Sequence, residues 1–97
     1  MALTAVVTGS SRGIGRGIAT CLAEVGYDVM INYVRNREAA EITVEEVRNR
    51  GQDAAICKAD VSLIEDGKRL IDFALETFGR LDLLVNNAGI SPRVRAD

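Results

Sequence analysis

A glycine-rich segment near the amino terminus has the residue types and spacing of a phosphate-binding turn. Residues 8–15, T-G-S-S-R-G-I-G, have the form T-G-x-x-x-G-x-G and lie between an apolar run and an amphipathic stretch. Glycine lacks a Cβ, so the backbone can turn sharply and approach a ligand, while the unpaired N–H groups of a first helical turn attract anions. The segment therefore predicts a nucleotide site. A Walker-type loop is excluded, because no Gly-Lys-Ser/Thr follows the glycines.

Two further segments place polar residues where predicted strands end. Asp60 and Val61 follow the third strand, and the run Asn86-Asn87-Ala88-Gly89 follows the fourth. The carboxyl ends of parallel strands share one edge of a sheet, so these residues are expected to face the crevice of the glycine turn. Each has a structural alternative as a turn or strand-end residue. Their occurrence together at one edge favours binding.

The remaining pattern supplies the elements that would position these residues. Four apolar runs predict strands at residues 3–7, 27–34, 53–59 and 81–85. Three amphipathic stretches between them predict helices. The first ends at Gly26, the second is capped by Asn36 and ends at Gly51, and the third begins with a Ser62/Glu65 capping box and ends at Gly79. An inward-facing stripe is predicted on the first helix at residues 14, 18, 21, 22 and 25.

The order of these elements is βαβαβαβ, with connections long enough for helical crossovers. Right-handed crossovers and a nucleotide turn after the first strand give an α/β fold with a three-layer, Rossmann-like, doubly wound parallel sheet. Only the first half of such a sheet is present, with strand order 3-2-1-4. The 97 residues make one domain at most, with a thin core.

Composition excludes several classes of function. The net charge of −2 provides no basic field for nucleic acid, yet residues 1–37 hold four arginines against two acids. No segment is long and apolar enough to span a membrane and no secretory signal is evident, so we predict a cytoplasmic protein. Cys21 and Cys57, without any histidine, argue against zinc, and both are predicted to be small buried hydrophobes. No metal site is predicted.

The glycine turn, the Asp60-Val61 pair and the Asn-Asn-Ala-Gly run, in this order and spacing, closely resemble the short-chain dehydrogenases/reductases, whose members include 3-oxoacyl-carrier-protein reductases. The resemblance covers all 97 residues but only the amino-terminal part of such an enzyme. It implies that residues 1–97 form a partial dinucleotide-binding domain from which the catalytic half is absent.

The resemblance also implies a role for each segment of the site. The glycine turn would hold the pyrophosphate and the adenosine ribose, the Asp-Val pair would contact the adenine, and the asparagine run would line the cofactor groove. The cofactor-binding residues implied in this way are Gly9, Ser11, Gly13, Ile14, Gly15, Asp60, Val61, Asn86, Ala88 and Gly89.

The choice of nicotinamide cofactor is expected to be made at the end of the second strand. An NAD-specific site would carry an acid there for the ribose 2′-hydroxyl, but the family's register places Tyr33 at that position. Arg12 and Arg35 can instead donate to a 2′-phosphate, and Arg37 is a weaker candidate. The alternative is that Arg35 and Arg37 only form a solvated helix start, although cations there oppose the helix dipole. NADP(H) is therefore favoured over NAD(H).

The family's catalytic serine, tyrosine, lysine and second asparagine have no matching positions in the chain. Its tyrosines are Tyr27 and Tyr33 and its lysines are Lys58 and Lys68, without the required spacing. We expect an NADP(H)-dependent oxidoreductase acting on a carbonyl or alcohol substrate, such as a 3-oxoacyl thioester, with residues 1–97 alone inactive. Neither nucleic acid nor membrane is an expected partner, and the oligomeric state is not predicted.

Two other functions are weighed against this one. A non-catalytic nucleotide-binding or sensing module would need a compact, soluble 97-residue product. The exposed apolar strand edge at residues 81–85 argues against it, because such an edge favours aggregation. An unrelated nucleotide-dependent transferase could share the sheet but would not require the Asn-Asn-Ala-Gly run.

Overall fold

The computed structural model describes residues 2–88. The predicted alternation of strands and helices is confirmed. The elements are β1 (Leu3–Val7), α1 (Gly13–Glu24), β2 (Tyr27–Tyr33), α2 (Arg37–Asn49), β3 (Ala54–Lys58), α3 (Ile64–Phe78) and β4 (Leu83–Val85).

The four strands form one parallel sheet in the order β3-β2-β1-β4, which confirms the predicted topology. Val7 at the end of β1 lies opposite Ile31 of β2 and Val85 of β4. Since every strand points the same way, the segments that follow β1, β2, β3 and β4 all leave the sheet at one edge. The predicted site residues lie in these segments.

The core consists of two apolar layers, one on each face of the sheet. Neighbouring residues of a strand point to opposite faces, so Val7 packs with α1 and α2 while Val6 packs with α3. The first layer includes Val29, Ile31, Ala19, Ala23, Ala40, Val44 and Val47. The second includes Met30, Cys57, Ala59, Leu70 and Ala74. The sheet with helices on both faces gives the three layers expected from the sequence.

The inward stripe predicted on α1 is wrong at three of its five positions, whereas Ile18 and Leu22 are partly buried and pack against the first layer. Ile14 and Val25 are 75% and 72% exposed, and Cys21 is also exposed, contrary to its predicted burial. The buried positions of α1 are Gly15, Ala19, Thr20 and Ala23, whose small side chains allow the helix to approach the sheet closely. Burial of Cys57 is confirmed.

The capping box predicted at the start of α3 is also wrong. Ser62 Oγ donates to Asp60 Oδ1 at 2.6 Å instead of capping the helix, which begins two residues later at Ile64. Asp66 Oδ2 accepts the Asp60 N–H at 2.8 Å, so an acid in the first turn holds the preceding chain. The cap predicted at Asn36 is confirmed, because its Oδ1 accepts the Ala39 N–H at 2.9 Å.

Three strands are shorter than predicted, by one residue in β2 and by two in β3 and in β4. At β4 the reason is visible in Asp82. The Asp82 carboxylate Oδ2 accepts the Thr4 N–H at 2.9 Å, in the place where a backbone carbonyl of β4 would accept it in the parallel sheet. The Asp82 N–H donates to the Thr4 carbonyl.

Within residues 2–88, no helix has the length and apolar character needed to cross a membrane.

Candidate nucleotide-binding site

The three glycines of the T-G-x-x-x-G-x-G turn serve different purposes. Gly9 and Gly13 have φ angles of 62° and 61°, in the left-handed region that favours glycine. A Cβ on Gly13 would meet no atom within 4 Å, so this side of the turn is open to a ligand. A Cβ on Gly15 would overlap the Gly9 carbonyl oxygen and lie 2.8 Å from Ser10 Cα. Gly15 is therefore required by packing within the turn.

The Gly9 residue is held on both sides by asparagine side chains from the neighbouring strands. Its N–H donates to Asn32 Oδ1 of β2 at 2.9 Å. Its carbonyl accepts from Asn87 Nδ2, after β4, at 3.1 Å. The turn after β1 is thus fixed in position by groups that follow or end the two adjacent strands.

Thr8 joins the glycine turn to the Asn-Asn-Ala-Gly run. Its Oγ1 accepts the Ala88 N–H at 3.0 Å and lies 3.3 Å from two acceptors, the Val85 carbonyl and Asn86 Oδ1. Its own N–H donates to the Val85 carbonyl at 3.0 Å. The predicted site residues Asn86 and Ala88 therefore lie beside the turn. Gly89 lies outside the described residues.

The amino terminus of α1 is open to an anion. Its N-cap, Arg12, has no side-chain capping bond, and its first turn contains no acidic residue. By contrast, α2 has the Asn36 cap with Glu38 in its first turn, and α3 has Glu65 and Asp66. Helix N-terminal N–H groups favour negative charge. Of the helices in residues 2–88, only α1 leaves this end without an acid.

A network around Arg16 joins the glycine turn to α2. Arg16 Nη2 donates to the Ser11 carbonyl at 2.6 Å and to the Ala39 carbonyl at 3.0 Å, while Nε donates to Thr43 Oγ1 at 2.9 Å. Thr43 Oγ1 lies 2.9 Å from the same Ser11 carbonyl and donates to it. The predicted site residue Ser11 is therefore fixed relative to the segment that follows β2.

Arg35 and Asp60 lie near each other beyond β2 and β3. The pKa of Asp60 is lowered, first by hydrogen bonds from the Ser62 hydroxyl and N–H and then by the positive charge of Arg35. Arg35 is exposed and forms no ion pair with a carboxylate in residues 2–88. Arg37 is engaged elsewhere, since its Nε pairs with Glu41 at 3.1 Å and its Nη1 donates to Tyr33 Oη at 3.3 Å. Arg35 is thus the more available of the two arginines.

Two concave regions lie near these elements. A small cavity of about 140 Å³ is lined by the predicted residues Val61 and Asn86, together with Thr8, Leu70 and Leu84. A wider groove of about 770 Å³ between α2 and β3 is lined by Glu38, Glu41, Ile42 and Ile56, among others, and contains none of the predicted site residues. The wide groove is therefore not the candidate nucleotide site, despite its size.

Sequence reasoning missed four residues that organise the site, namely Asn32, Asn87, Arg16 and Thr43. Asn87 stands inside a run that was already identified, and its contact with Gly9 completes that assignment. Asn32 had a weaker signal, as an amide near the end of an otherwise apolar strand. Arg16 and Thr43 lie on two different helices, so their pairing was not visible in either pattern.

The parallel sheet in the order 3-2-1-4 and the glycine turn after β1 define a Rossmann-like fold, and similarity to known proteins gives the family. The short chain dehydrogenase family model matches residues 3–97, so the chain belongs to this family. Over 91 residues the chain is 48% identical to a 3-oxoacyl-[acyl-carrier-protein] reductase of Staphylococcus aureus, covering 94% of this chain and 37% of the relative. Over 86 residues it is 46% identical to versicolorin reductase of Emericella nidulans, covering 89% and 33%.

Solved structures show the same likeness. The crystal structure of acetoin dehydrogenase from Enterobacter cloacae superimposes with a TM-score of 0.85 at 39% identity, covering 93% of this chain and 36% of that one. A short-chain dehydrogenase/reductase structure from Sinorhizobium meliloti gives a TM-score of 0.85 at 33% identity, covering 99% and 44%. The chain spans 33% to 37% of the length of the two curated relatives named above.

Proposed function

We propose that this chain is the cofactor-binding part of an NADP(H)-dependent oxidoreductase that interconverts a carbonyl and an alcohol. The observation that carries the proposal is the amino terminus of α1, which lacks a capping side chain and an acid and follows a glycine turn at the carboxyl edge of the sheet. Residues 1–97 are then a partial dinucleotide-binding domain. The nicotinamide ring, when bound, would supply or accept a hydride.

The described residues fit a dinucleotide. Gly13 leaves open space where a side chain would otherwise stand, so phosphate oxygens can approach the N–H groups of Gly13, Ile14 and Gly15. Asp60 and Val61 follow β3, which is separated from β1 by β2, and we assign the adenine contact to them. Asn86 and Ala88 border the turn on the β4 side. Gly89, the last residue of the proposed set, lies outside the described residues.

The preference for NADP(H) depends on charge. No acid occupies the end of β2, where Tyr33 is buried with its hydroxyl bonded to Arg37. Arg12 is the N-cap of α1, and Arg35 follows β2 close enough to Asp60 to help lower its pKa; both side chains are exposed, and we assign the ribose 2′-phosphate to them. A guanidinium binds such a dianion through charge-assisted hydrogen bonds. The uncharged 2′-hydroxyl of NAD(H) gains much less binding free energy from the same two guanidinium groups.

The catalytic groups are proposed to lie outside these 97 residues. The ring of Tyr33 is part of the apolar layer beneath α1 and α2, and Tyr27 also packs against that layer. Neither has a lysine four residues later. A 3-oxoacyl thioester is the first substrate to test, because a reductase of that name is 48% identical over 91 residues. A cytoplasmic location remains a prediction.

Titration of the purified protein with NADPH and NADH tests the cofactor assignment. We expect NADPH to bind at least about tenfold more tightly, and the Arg35→Glu substitution to remove most of this preference while leaving NADH binding nearly unchanged. Arg50→Glu, at the far end of α2, is the control for a charge reversal; it loses the Arg50–Glu24 ion pair but should bind NADPH and NADH as wild type does when measured well below its Tm. If NADH binds wild type as tightly as NADPH, the 2′-phosphate assignment is wrong.

The non-catalytic alternative predicts the same nucleotide binding but no hydride transfer by any longer protein that contains this chain. A search for the catalytic residues separates the two functions. A continuation of the reading frame with a serine followed by Tyr-x-x-x-Lys supports the oxidoreductase. Its absence from a protein that still binds NADPH supports the sensing module.

A further inference from the structure

Asn32 is a buried amide whose hydrogen-bonding groups are all used within the chain. It is 1% exposed and is the penultimate residue of β2. Its Oδ1 accepts the Gly9 N–H at 2.9 Å. Its Nδ2 donates to the Ala59 carbonyl at 3.0 Å and to the Cys57 carbonyl at 3.3 Å. The Asn32 side chain therefore joins the turn that follows β1 to the carboxyl end of β3, on the two sides of β2.

The backbone of Asn32 strengthens the same connection to the glycine turn. Its N–H donates to Ser10 Oγ at 2.9 Å, and its carbonyl accepts the Ser10 N–H at 3.0 Å. Ser10 Oγ in turn donates to the Val7 carbonyl at 2.6 Å. The pairing of β1 with β2 thus continues past the end of β1 and into the turn.

The partners of Asn32 are the two segments that the proposed function assigns to different parts of the nucleotide. Gly9 begins the turn that would hold the pyrophosphate, and Ala59 directly precedes Asp60 in the adenine segment. An apolar residue at this buried position would leave the Gly9 N–H and the Ala59 carbonyl without this partner, which is costly in an interior. A side-chain amide suits this position because its oxygen can accept from the Gly9 N–H while its nitrogen donates to the Ala59 carbonyl.

We propose that Asn32 is a positioning residue for the dinucleotide, setting the glycine turn and the Asp60 segment at the separation that one cofactor molecule spans. The inference deepens the proposed function and depends on it. Because Asn32 is buried, it acts through Gly9 and Ala59 and does not touch the ligand. Its loss should weaken a ligand whose pyrophosphate lies on the glycine turn and whose adenine lies at Asp60 more than a ligand that lacks the pyrophosphate.

Binding of two ligands to three variants tests this role. NADP⁺ spans both segments in full, whereas adenosine 2′-phosphate has no pyrophosphate or nicotinamide and would reach the glycine turn only through its ribose and 2′-phosphate. Asn32→Leu should weaken NADP⁺ by about tenfold or more and adenosine 2′-phosphate by less than about threefold. Met30→Ala is the matched control, a buried truncation on the same strand that should lower the Tm and leave both Kd values, measured well below the Tm, nearly unchanged.

Asn32→Asp keeps the test valid if the leucine variant does not fold. The introduced carboxylate can still accept from Gly9 but faces two carbonyl oxygens until it is protonated. Burial raises the pKa of such a carboxyl, so NADP⁺ affinity relative to wild type should recover as the pH is lowered from about 8 towards about 5.5. A purely structural role would change the Tm without this pH dependence in binding.

The outcomes separate the two proposals. If wild type binds NADP⁺ and the Asn32 variants bind both ligands as wild type does, the positioning role is wrong and the proposed function stands. If the variants weaken both ligands equally, the positioning role is also wrong. If wild type binds neither NADP⁺ nor NAD⁺, the proposed function fails and the Asn32 proposal fails with it.

Discussion

At the scale of single residues, Gly15 shows that a glycine can be required by packing where its backbone conformation is ordinary. Gly15 lies in the first turn of α1 and is not among the glycines with positive φ. The space that its Cβ would occupy is filled by the Gly9 carbonyl, Asn87 Nδ2 and Ser10 Cα. Two of these three neighbours are backbone atoms, which cannot move without opening the turn.

We predict that Gly15→Ala lowers the free energy of unfolding by about 1–3 kcal/mol through overpacking, and weakens nucleotide binding. Gly17→Ala is the matched control two residues later in the same helix, where a Cβ meets nothing within 4 Å. That variant should be neutral or stabilising by about 1 kcal/mol, since alanine is the better helix former. Urea unfolding monitored by circular dichroism measures both, and equal stability of the two variants would contradict the prediction.

How much of the site the sequence could predict depends on how far along the chain each contact reaches. The glycine turn was evident because its residues are consecutive and their chemistry is local. Asn32 and Arg16 were not, because their partners lie 5 to 27 residues away and neither occurs in a distinctive motif. An asparagine in an apolar strand shows only that some polar partner must be near it.

At the scale of elements, α1 shows why an apolar periodicity does not establish which face of a helix is buried. The stripe that begins at Ile14 was periodic, but the fully buried face is formed by Gly15, Ala19 and Ala23, and only Ile18 and Leu22 of the stripe pack partly against the core. Gly15, Ala19 and Ala23 also recur every four positions. Small residues give a weak hydropathy signal, yet they allow close approach of helix and sheet. The helix itself was predictable, and its orientation was decided by tertiary packing.

The junction of β1 with β4 gives a prediction about pH. Hydrogen bonds from Arg80 and then from the Thr4 N–H lower the pKa of Asp82 below its usual 3.8. A carboxyl with a lowered pKa in the folded state stabilises the protein above pH 3.8, and this contribution is lost as the pH falls through the folded value. We predict that Asp82→Asn unfolds more readily at pH 7 and loses less stability than wild type on acidification.

Thermal unfolding between pH 7 and about pH 2.5 measures this difference. Asp72→Asn is the control, since the exposed Asp72 carboxylate on α3 forms no hydrogen bond with residues 2–88. That variant should follow wild type throughout. Parallel acid profiles for wild type and Asp82→Asn would show that the Asp82 carboxylate does not hold β4 to β1.

At the scale of the whole molecule, several large apolar side chains of the helices and of the edge strand β4 are exposed on the surface of the described residues. Val25 directly after α1, Ile64 and Leu75 on α3, and Leu84 on β4 are all exposed. Within residues 2–88, β4 pairs only with β1. The two curated relatives are nearly three times as long as the part that matches. We infer that further elements of such a protein cover these surfaces.

The topology was predictable from the sequence because it follows from general rules about parallel sheets. The order 3-2-1-4 followed from the alternation of elements, the handedness of crossovers and the nucleotide turn after the first strand. Exact strand ends were not predictable, because at β4 a single carboxylate, Asp82, replaces a backbone acceptor. The sequence of residues 1–97 also does not predict which of the exposed apolar surfaces are covered in a longer protein, because the covering residues are not among these 97.

A polypeptide of residues 1–97 is predicted to give no measurable oxidation of NADPH with a 3-oxoacyl thioester. The reason is that residues 1–97 contain no Tyr-x-x-x-Lys sequence, so we expect no side chain in this polypeptide to protonate the carbonyl oxygen as hydride arrives. Absorbance at the NADPH band follows turnover, and NADPH binding by the same sample shows that the cofactor site has formed. A repeatable rate above the rate without protein would place a catalytic acid among these residues.

The asparagine contacts on the two sides of Gly9 have a consequence for the entropy of binding. The Gly9 N–H and carbonyl are both bonded to side chains of the chain itself, and Ser11 is bonded by Arg16 and Thr43. The conformational freedom of the turn is therefore lost when the protein folds, and little remains to be lost when a dinucleotide arrives. Affinity at such a preorganised turn reflects the contacts made, with only a small deduction for ordering the loop.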